Sequence, residues 1–307
     1  MQRLHDVYSK LEQHCVIGVQ LEALTTLIPI VFRFCRLLFR CKKQDRPLSR
    51  LISSRAIASA IGDFHEELDH FAALLKLDLQ ESDWKDQWVN EESNALKSIY
   101  LKLADDASLV DGFNNQKYKN RVAVLLVNTL QKQRGTNQEA VHGIEDVKNR
   151  FLRVCGMEEP SVPDWFISRE DVEFNEWNLT KKDAKITTYE GKWLKTKVVV
   201  GTSTMNINEF EEVANRWYPL SHPNVRKLFG ACHIEAQPFF VYEYGKQVLD
   251  VLTEKQQSPW KYLYEAALGV QYLHQRNIVH GGLQCANIVV GSDGVAKVTG
   301  LETYREG

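Results

Sequence analysis

Over roughly the first half of the chain, apolar residues return every three to four positions, the spacing of one helical face. Leu4, Val7, Leu11, Cys15 and Ile17 share a stripe near the start. Asp45 can cap a following helix and Pro47 fits its first turn. Leu51, Ile57, Ile61, Phe64, Leu68, Phe71 and Leu75 then carry the pattern on. The stretches "WVNEESNALKSIYLKLADDASLV" and "KYKNRVAVLLVNTLQKQR" predict two more helices. A helix with one apolar stripe cannot bury it alone, so residues 1–155 are expected to pack as a helical bundle.

The pattern breaks at "GMEEPSVPDWFISRED", residues 156–171, where Pro160, Pro163 and clustered acids predict an extended linker. Beyond it the texture changes. "KITTYEGKWLKTKVVVG" predicts two strands with a turn near Glu190 and Gly191, and "NEFEEVANRWYPL" a short helix. "NVRKLFGACHI" and "PFFVYEYG" predict two further strands, and "WKYLYEAALGVQYLHQRN" a long amphipathic helix. "NIVVGSDGVAKV" has the form of a hairpin turning at Asp293 and Gly294.

Composition narrows the class. With 44% hydrophobic and 25% charged residues, the 307-residue chain is ordinary soluble protein, long enough for two domains. A net charge of -2 gives no bulk attraction to nucleic acid. Six cysteines without a C-x-x-C pair, and no secretory signal in "MQRLHDVYSK", predict free thiols and a cytoplasmic protein. The most apolar run, Leu27 to Phe39, is too short to span a membrane and is interrupted by Arg33 and Arg36.

The order and wording of the second half carry a resemblance. "LSHPNVRKLFGAC" looks like the segment after the small-lobe helix in tyrosine-kinase-like (TKL) serine/threonine kinases, and "VQYLHQRNIVHGGLQCANIVV" is similar to "YLHxxxIVHRDLKxxNIL". The resemblance covers about residues 172–302. It implies a multidomain α and α+β protein, a bundle followed by a protein-kinase-like domain over 172–307. That domain would be incomplete, a small β lobe plus the start of the helical lobe, ending near the D-F-G position.

What the resemblance implies about chemistry depends on each matched position. The glycine-rich loop would fall near Lys181 to Ile186, which contains no glycine, and Lys181, Lys182 and Lys185 there read as solvated charge. Gly201 stands where the third-strand lysine belongs, with Lys197 more than about 10 Å away along the strand. The helix glutamate, counted back from His222, becomes Val213; a one-residue register shift would make it Glu212, which without a lysine partner is expected to face solvent. His280 and Leu283 match the catalytic loop, but Gly281 replaces its arginine, Gly282 its aspartate and Gln284 its lysine. Asn287, a metal ligand in active relatives, is retained, while Gly300 stands at the D-F-G aspartate. Glu302 and Asp293 are the nearby acids that would have to substitute. Tyr242, Glu243 and Tyr244 form the implied hinge, with Tyr242 guarding the back of a filled cleft.

The expected function is therefore a catalytically inactive kinase-like scaffold or regulator. It would bind a protein partner, either an active kinase or a second copy, without ATP or magnesium as cofactor. The alternative is an ATP-binding serine/threonine kinase with atypical catalytic residues. In an incomplete domain, Leu263, Ala267, Val270 and Leu273 would leave an apolar patch on the long helix. His65 and His70, five apart, do not share a helical face and read as polar surface rather than a zinc site. Arg33, Arg36, Arg40 and Lys43 form a cationic stripe, read as a solvated bundle face in preference to a membrane-binding one. Cys285 reads as buried filler.

Overall fold

The computed structural model describes residues 2–14, 17–43, 46–77, 84–110, 115–133, 138–183, 185–255, 258–300 and 305–306. They form two compact units, Met1–Pro160 and Ser161–Gly307.

The first unit holds α1 (Gln2–His14), α2 (Ile17–Lys43), α3 (Pro47–Leu74), α4 (Trp84–Lys102), α5 (Asp106–Val110), α6 (Gln116–Gln133) and α7 (Gln138–Cys155). The stripe from Leu4 to Ile17 is thus shared by two helices, with Val7 and Leu11 buried and Cys15 outside the described residues. Asp45 also lies outside them; Arg46 is the N-cap residue of α3 and Pro47 opens the helix. Val122 to Leu130 are buried without a break, so this stretch of α6 is enclosed on all sides. The helix α7, which no single motif announced, supplies Ile144, Val147 and Phe151 to the core around α6.

Among the described residues the bundle has two cores rather than one, and α3 spans them. Leu48 and Leu51, early in α3, pack with Leu126, Ile144 and Phe151. Phe64, Leu68 and Phe71, about four turns later, pack with Val7, Leu11, Leu27 and Ile30. Arg150 joins α7 to the α4–α5 corner, donating to the carbonyls of Leu103 at 3.0 Å and Ala104 at 2.8 Å and pairing with Asp106. Those carbonyls lie just past the end of α4, where no further helical turn supplies them with donors.

The second unit begins earlier than the linker reading placed it. Trp165, Phe166 and Ile167 are buried, because this stretch is apolar enough to dock as well as to connect. The elements that follow are β1 (Val172–Lys182), β2 (Ile186–Trp193), β3 (Thr196–Ser203), α8 (Ile207–Trp217), β4 (Leu228–Cys232) and β5 (Phe239–Glu243). They build a five-stranded antiparallel sheet in the order β1-β2-β3-β5-β4. Phe166 pairs in parallel with Ala231 of the edge strand β4, exchanging the Ile167 N–H to Ala231 carbonyl and Ala231 N–H to Trp165 carbonyl bonds, both 2.8 Å. The segment thereby covers a sheet edge.

Then come β6 (Gly245–Gln247), α9 (Val248–Lys255), α10 (Pro259–His274), β7 (Ile278–Val279), β8 (Ile288–Gly291), β9 (Ala296–Val298) and β10 (Arg305–Glu306). A second sheet has the order β6-β8-β9. Its hairpin turns at Asp293 and Gly294, as the sequence implied: Gly294 has φ +74° and the Asp293 carboxylate accepts the Val295 N–H at 3.0 Å.

Two local expectations change. The β2–β3 turn is at Leu194 (φ +51°), and Gly191 lies inside β2. Glycine is required at 191 by close approach: a β-carbon would sit 2.7 Å from the Glu173 carbonyl oxygen on β1. On α10, Leu263 and Ala267 are exposed and Val270 is half-buried, but Leu273 is fully covered.

Candidate functional site

Within the second unit, the two sheets and their connecting loops enclose a cleft of about 540 Å³, lined among others by Lys181, Trp217, Arg226, Tyr242, Asn287 and Gly300. Its back wall is β3 against β5, with Gly201 opposite Phe240 and Val199 opposite Tyr242. A β-carbon on Gly201 would lie 2.7 Å from Cε2 of Tyr242 and 3.0 Å from Cγ2 of Ile186. The tyrosine ring therefore occupies the volume into which a side chain at 201 would grow. Tyr242 is itself held by the Trp217 ring, 4.9 Å between centroids, and by the Arg226 guanidinium 5.2 Å from its face.

Arg226 is buried, and nothing in the motif comparison singled it out. Its Nε donates to the Glu243 carbonyl at 2.8 Å. The Glu243 N–H donates to the Lys227 carbonyl at 2.9 Å. Both main-chain groups of Glu243 at the hinge thus have internal partners, and an adenine edge would have to share them. The Glu243 carboxylate accepts from Lys227 N–H and lies 3.1 Å from the Lys297 ammonium, which also pairs with Asp293 at 3.1 Å. Burial works to lower the Lys297 pKa, but Asp293 and Glu243 outweigh it and hold it above the usual lysine value. For Asp293, burial works the other way; the Val295 N–H and Lys297 outweigh it and leave the carboxyl below its usual range. Asp293 is thereby engaged in the hairpin. Tyr244 donates to Glu190 at 3.1 Å, and Lys197 pairs with Glu190 at 3.1 Å and sits 3.8 Å from the Tyr244 ring. Lys197 is committed to the mouth of the cleft rather than to its back.

The floor is the loop from His280 to Asn287. His280 is buried, with Nε2 2.7 Å from the Thr299 carbonyl and Nδ1 3.3 Å from the Gly282 N–H. A neutral ring, donating from Nε2 and accepting at Nδ1, satisfies both. Burial lowers its pKa, in keeping with that form. Asn287 donates to the Gly282 carbonyl at 2.8 Å and accepts from the Lys181 ammonium at 3.0 Å, across 106 residues of sequence. Lys181 pairs with Asp183 as well, at 2.7 Å. Of the three lysines expected as solvated charge, Lys181 is half-buried and spans the cleft, while Lys182 is exposed and Lys185 pairs with Glu209. Gly300, at φ +87°, lies beneath Asn287: a β-carbon there would meet its Cγ at 2.8 Å.

Val213 is buried on α8, and Glu212 beside it is 60% exposed and within 3.5 Å of Arg216. Cys285 is exposed, contrary to the filler reading, because the turn Cys285–Asn287 directs Asn287 inward instead. Glu302 lies outside the described residues. In the first unit, His65 is more than polar surface: it stacks on Trp84 at 4.6 Å and contacts Arg3, whereas His70 is exposed. No cluster of three potential metal ligands occurs among the described residues.

Residues 184–305 match the family described as protein tyrosine and serine/threonine kinase. The chain is similar to the spermatocyte protein spe-8 of Caenorhabditis briggsae, 28% identical over 48% of this chain and 31% of that protein. It is similar to the tyrosine-protein kinase transforming protein Abl of Abelson murine leukemia virus, 25% identical over 69% of this chain and 33% of that protein. It is also similar to human tyrosine-protein kinase Fer, 28% identical over 48% of this chain and 19% of that protein. The chain thus spans a third or less of these curated relatives. The second unit has a kinase-like fold, with kinases as distant relatives.

Proposed function

We propose that the chain is a catalytically inactive, kinase-like regulator, nearest the tyrosine-kinase-like serine/threonine kinases, that acts inside the cell by binding another protein. The observation that carries this reading is the filling of the Gly201 and Gly300 positions, by the Tyr242 ring and the Asn287 amide. Phosphoryl transfer needs a cradled phosphate, a metal and an oriented base. The Asn287 oxygen already carries an ammonium, and Asp183, the acid nearest it in this network, is paired with that same ammonium. Magnesium requires several hard oxygen ligands in near-octahedral array, and this donor set does not fit it. Gly282 offers no base, a loss worth about 10² to 10⁴ in rate.

A second reading, an ATP-using kinase with displaced groups, draws on the size of the cleft, about 540 Å³, which suits a small ligand. Purified full chain incubated with γ-labelled ATP and magnesium separates the two. The proposal expects no label on the chain or on added substrate protein; label that disappears in chelator would overturn it.

A further inference from the structure

The face of α2 turned away from the two cores is apolar as well as charged. Ile28 and Phe32 are each 62% exposed and Phe39 is 69% exposed. With Leu24 and Cys35, also exposed, they return at intervals of four, four, three and four residues. That spacing makes one ridge about 22 Å long. It is a ridge and not a groove, because the buried positions Leu27, Ile30 and Leu37 lie on the opposite side of the same helix. Exposed Arg36 and Lys42 flank it, whereas Arg33, farther round the helix, pairs with Glu67. From Ile17 to Lys43 the sequence contains five basic residues and one acid, although the whole chain has a net charge of -2.

We propose that α2 lies on anionic lipid, with the Leu24–Phe39 ridge in the interface and Arg36 and Lys42 against lipid phosphates. A helix of this kind buries its apolar side about 5–10 Å into the headgroup region while its cations hold anionic lipid. Charge complementarity selects this occupant. A second copy docked ridge to ridge would bring the Arg36 and Lys42 cations of both copies together, and a convex ridge does not enclose a partner helix as a groove would. No helix among the described residues is long and apolar enough to cross a membrane, so the contact is peripheral. This goes beyond the kinase-like reading and does not rest on it.

The test is co-sedimentation of the full chain with phosphatidylcholine vesicles, with and without phosphatidylserine. Binding is expected to the anionic vesicles, at least about tenfold weaker to neutral ones, and to fall as salt rises from about 0.1 to 0.5 M. The F32S/F39S variant is expected to lose at least about tenfold. Arg36→Glu should lose at least about fivefold, with Arg36→Lys close to wild type. Thermal melts of each variant check the fold, and the salt titration of the wild type stands even if a variant is destabilised. Absence of binding by the wild type, equal binding to neutral vesicles, or retained binding by F32S/F39S would each overturn the proposal. So would a concentration-dependent dimer that F32S/F39S dissolves while vesicles leave the protein in solution.

Discussion

On the proposed reading, the β3–β5 wall of the cleft and the loop from His280 to Asn287 differ from an active kinase in different ways. On the wall, Gly201, where that reading expects a lysine, faces the Tyr242 ring, and the hinge carbonyl accepts from Arg226. In the loop, the backbone bracing is intact. His280 still bridges Gly282 and Thr299, and Asn287 still holds the Gly282 carbonyl. What differs there is side chains, at Gly281, Gly282 and Gln284. The wall has been repacked, whereas the loop has only been stripped. Restoring a catalytic residue should therefore cost stability where space was reoccupied and little where it was not.

The largest effect is expected at Gly300, where both kinds of loss meet. Gly300→Asp places a β-carbon 2.8 Å from the Asn287 amide carbon at a φ of +87°. Overpacking and a left-handed non-glycine residue together should cost about 3 kcal/mol in denaturant unfolding. An unchanged midpoint would contradict the packing described here. Gly201→Lys should cost about 2 kcal/mol, and part of that cost should vanish when Tyr242 is already alanine. A double-mutant cycle reads this directly; additive values would mean that the tyrosine does not fill the site.

Acidification probes the bracing. His222, His233 and His280 all have pKa values lowered by burial. The unfolded chain then takes up protons at a higher pH than the folded one. Stability from these groups is complete above the ordinary histidine value near 6.5 and is lost as pH falls below it. Melting temperatures should drop from pH 7 to 5, and His280→Gln should flatten part of that drop. An unaltered slope would remove His280 from the account. The smallest effect belongs to Gly282→Asp. Its φ lies outside the left-handed region, so the change should cost less than about 0.5 kcal/mol and still give no phosphoryl transfer.

Motif spacing made the loop legible, because His280, Asn287 and the Asp293–Gly294 turn are local features with fixed offsets. It placed Gly201 and Gly300 without revealing why they are glycine. That reason lies in tertiary pairs, Gly201 with Tyr242 and Gly300 with Asn287. The Lys181–Asn287 bond joins residues 106 positions apart, so nothing local separates Lys181 from its exposed neighbour Lys182. Arg226 left a signal that could have been used, a charge between Val225 and Leu228 in a run that alternates into a buried strand. Gly191 misled because close approach to β1 and a turn both call for glycine. Residues 156–171 were read from Pro160 and Pro163, while Trp165, Phe166 and Ile167 decided the outcome by burying.

The most direct measurement of the central claim is the melting temperature of the full chain titrated with ATP and magnesium, with and without chelator. A ligand at about a hundred times its dissociation constant adds roughly 2.7 kcal/mol, several degrees for a domain of this size. A cleft whose hinge carbonyl, asparagine and back wall are already engaged predicts a shift within experimental scatter at millimolar nucleotide. A rise of several degrees that chelator abolishes would contradict it.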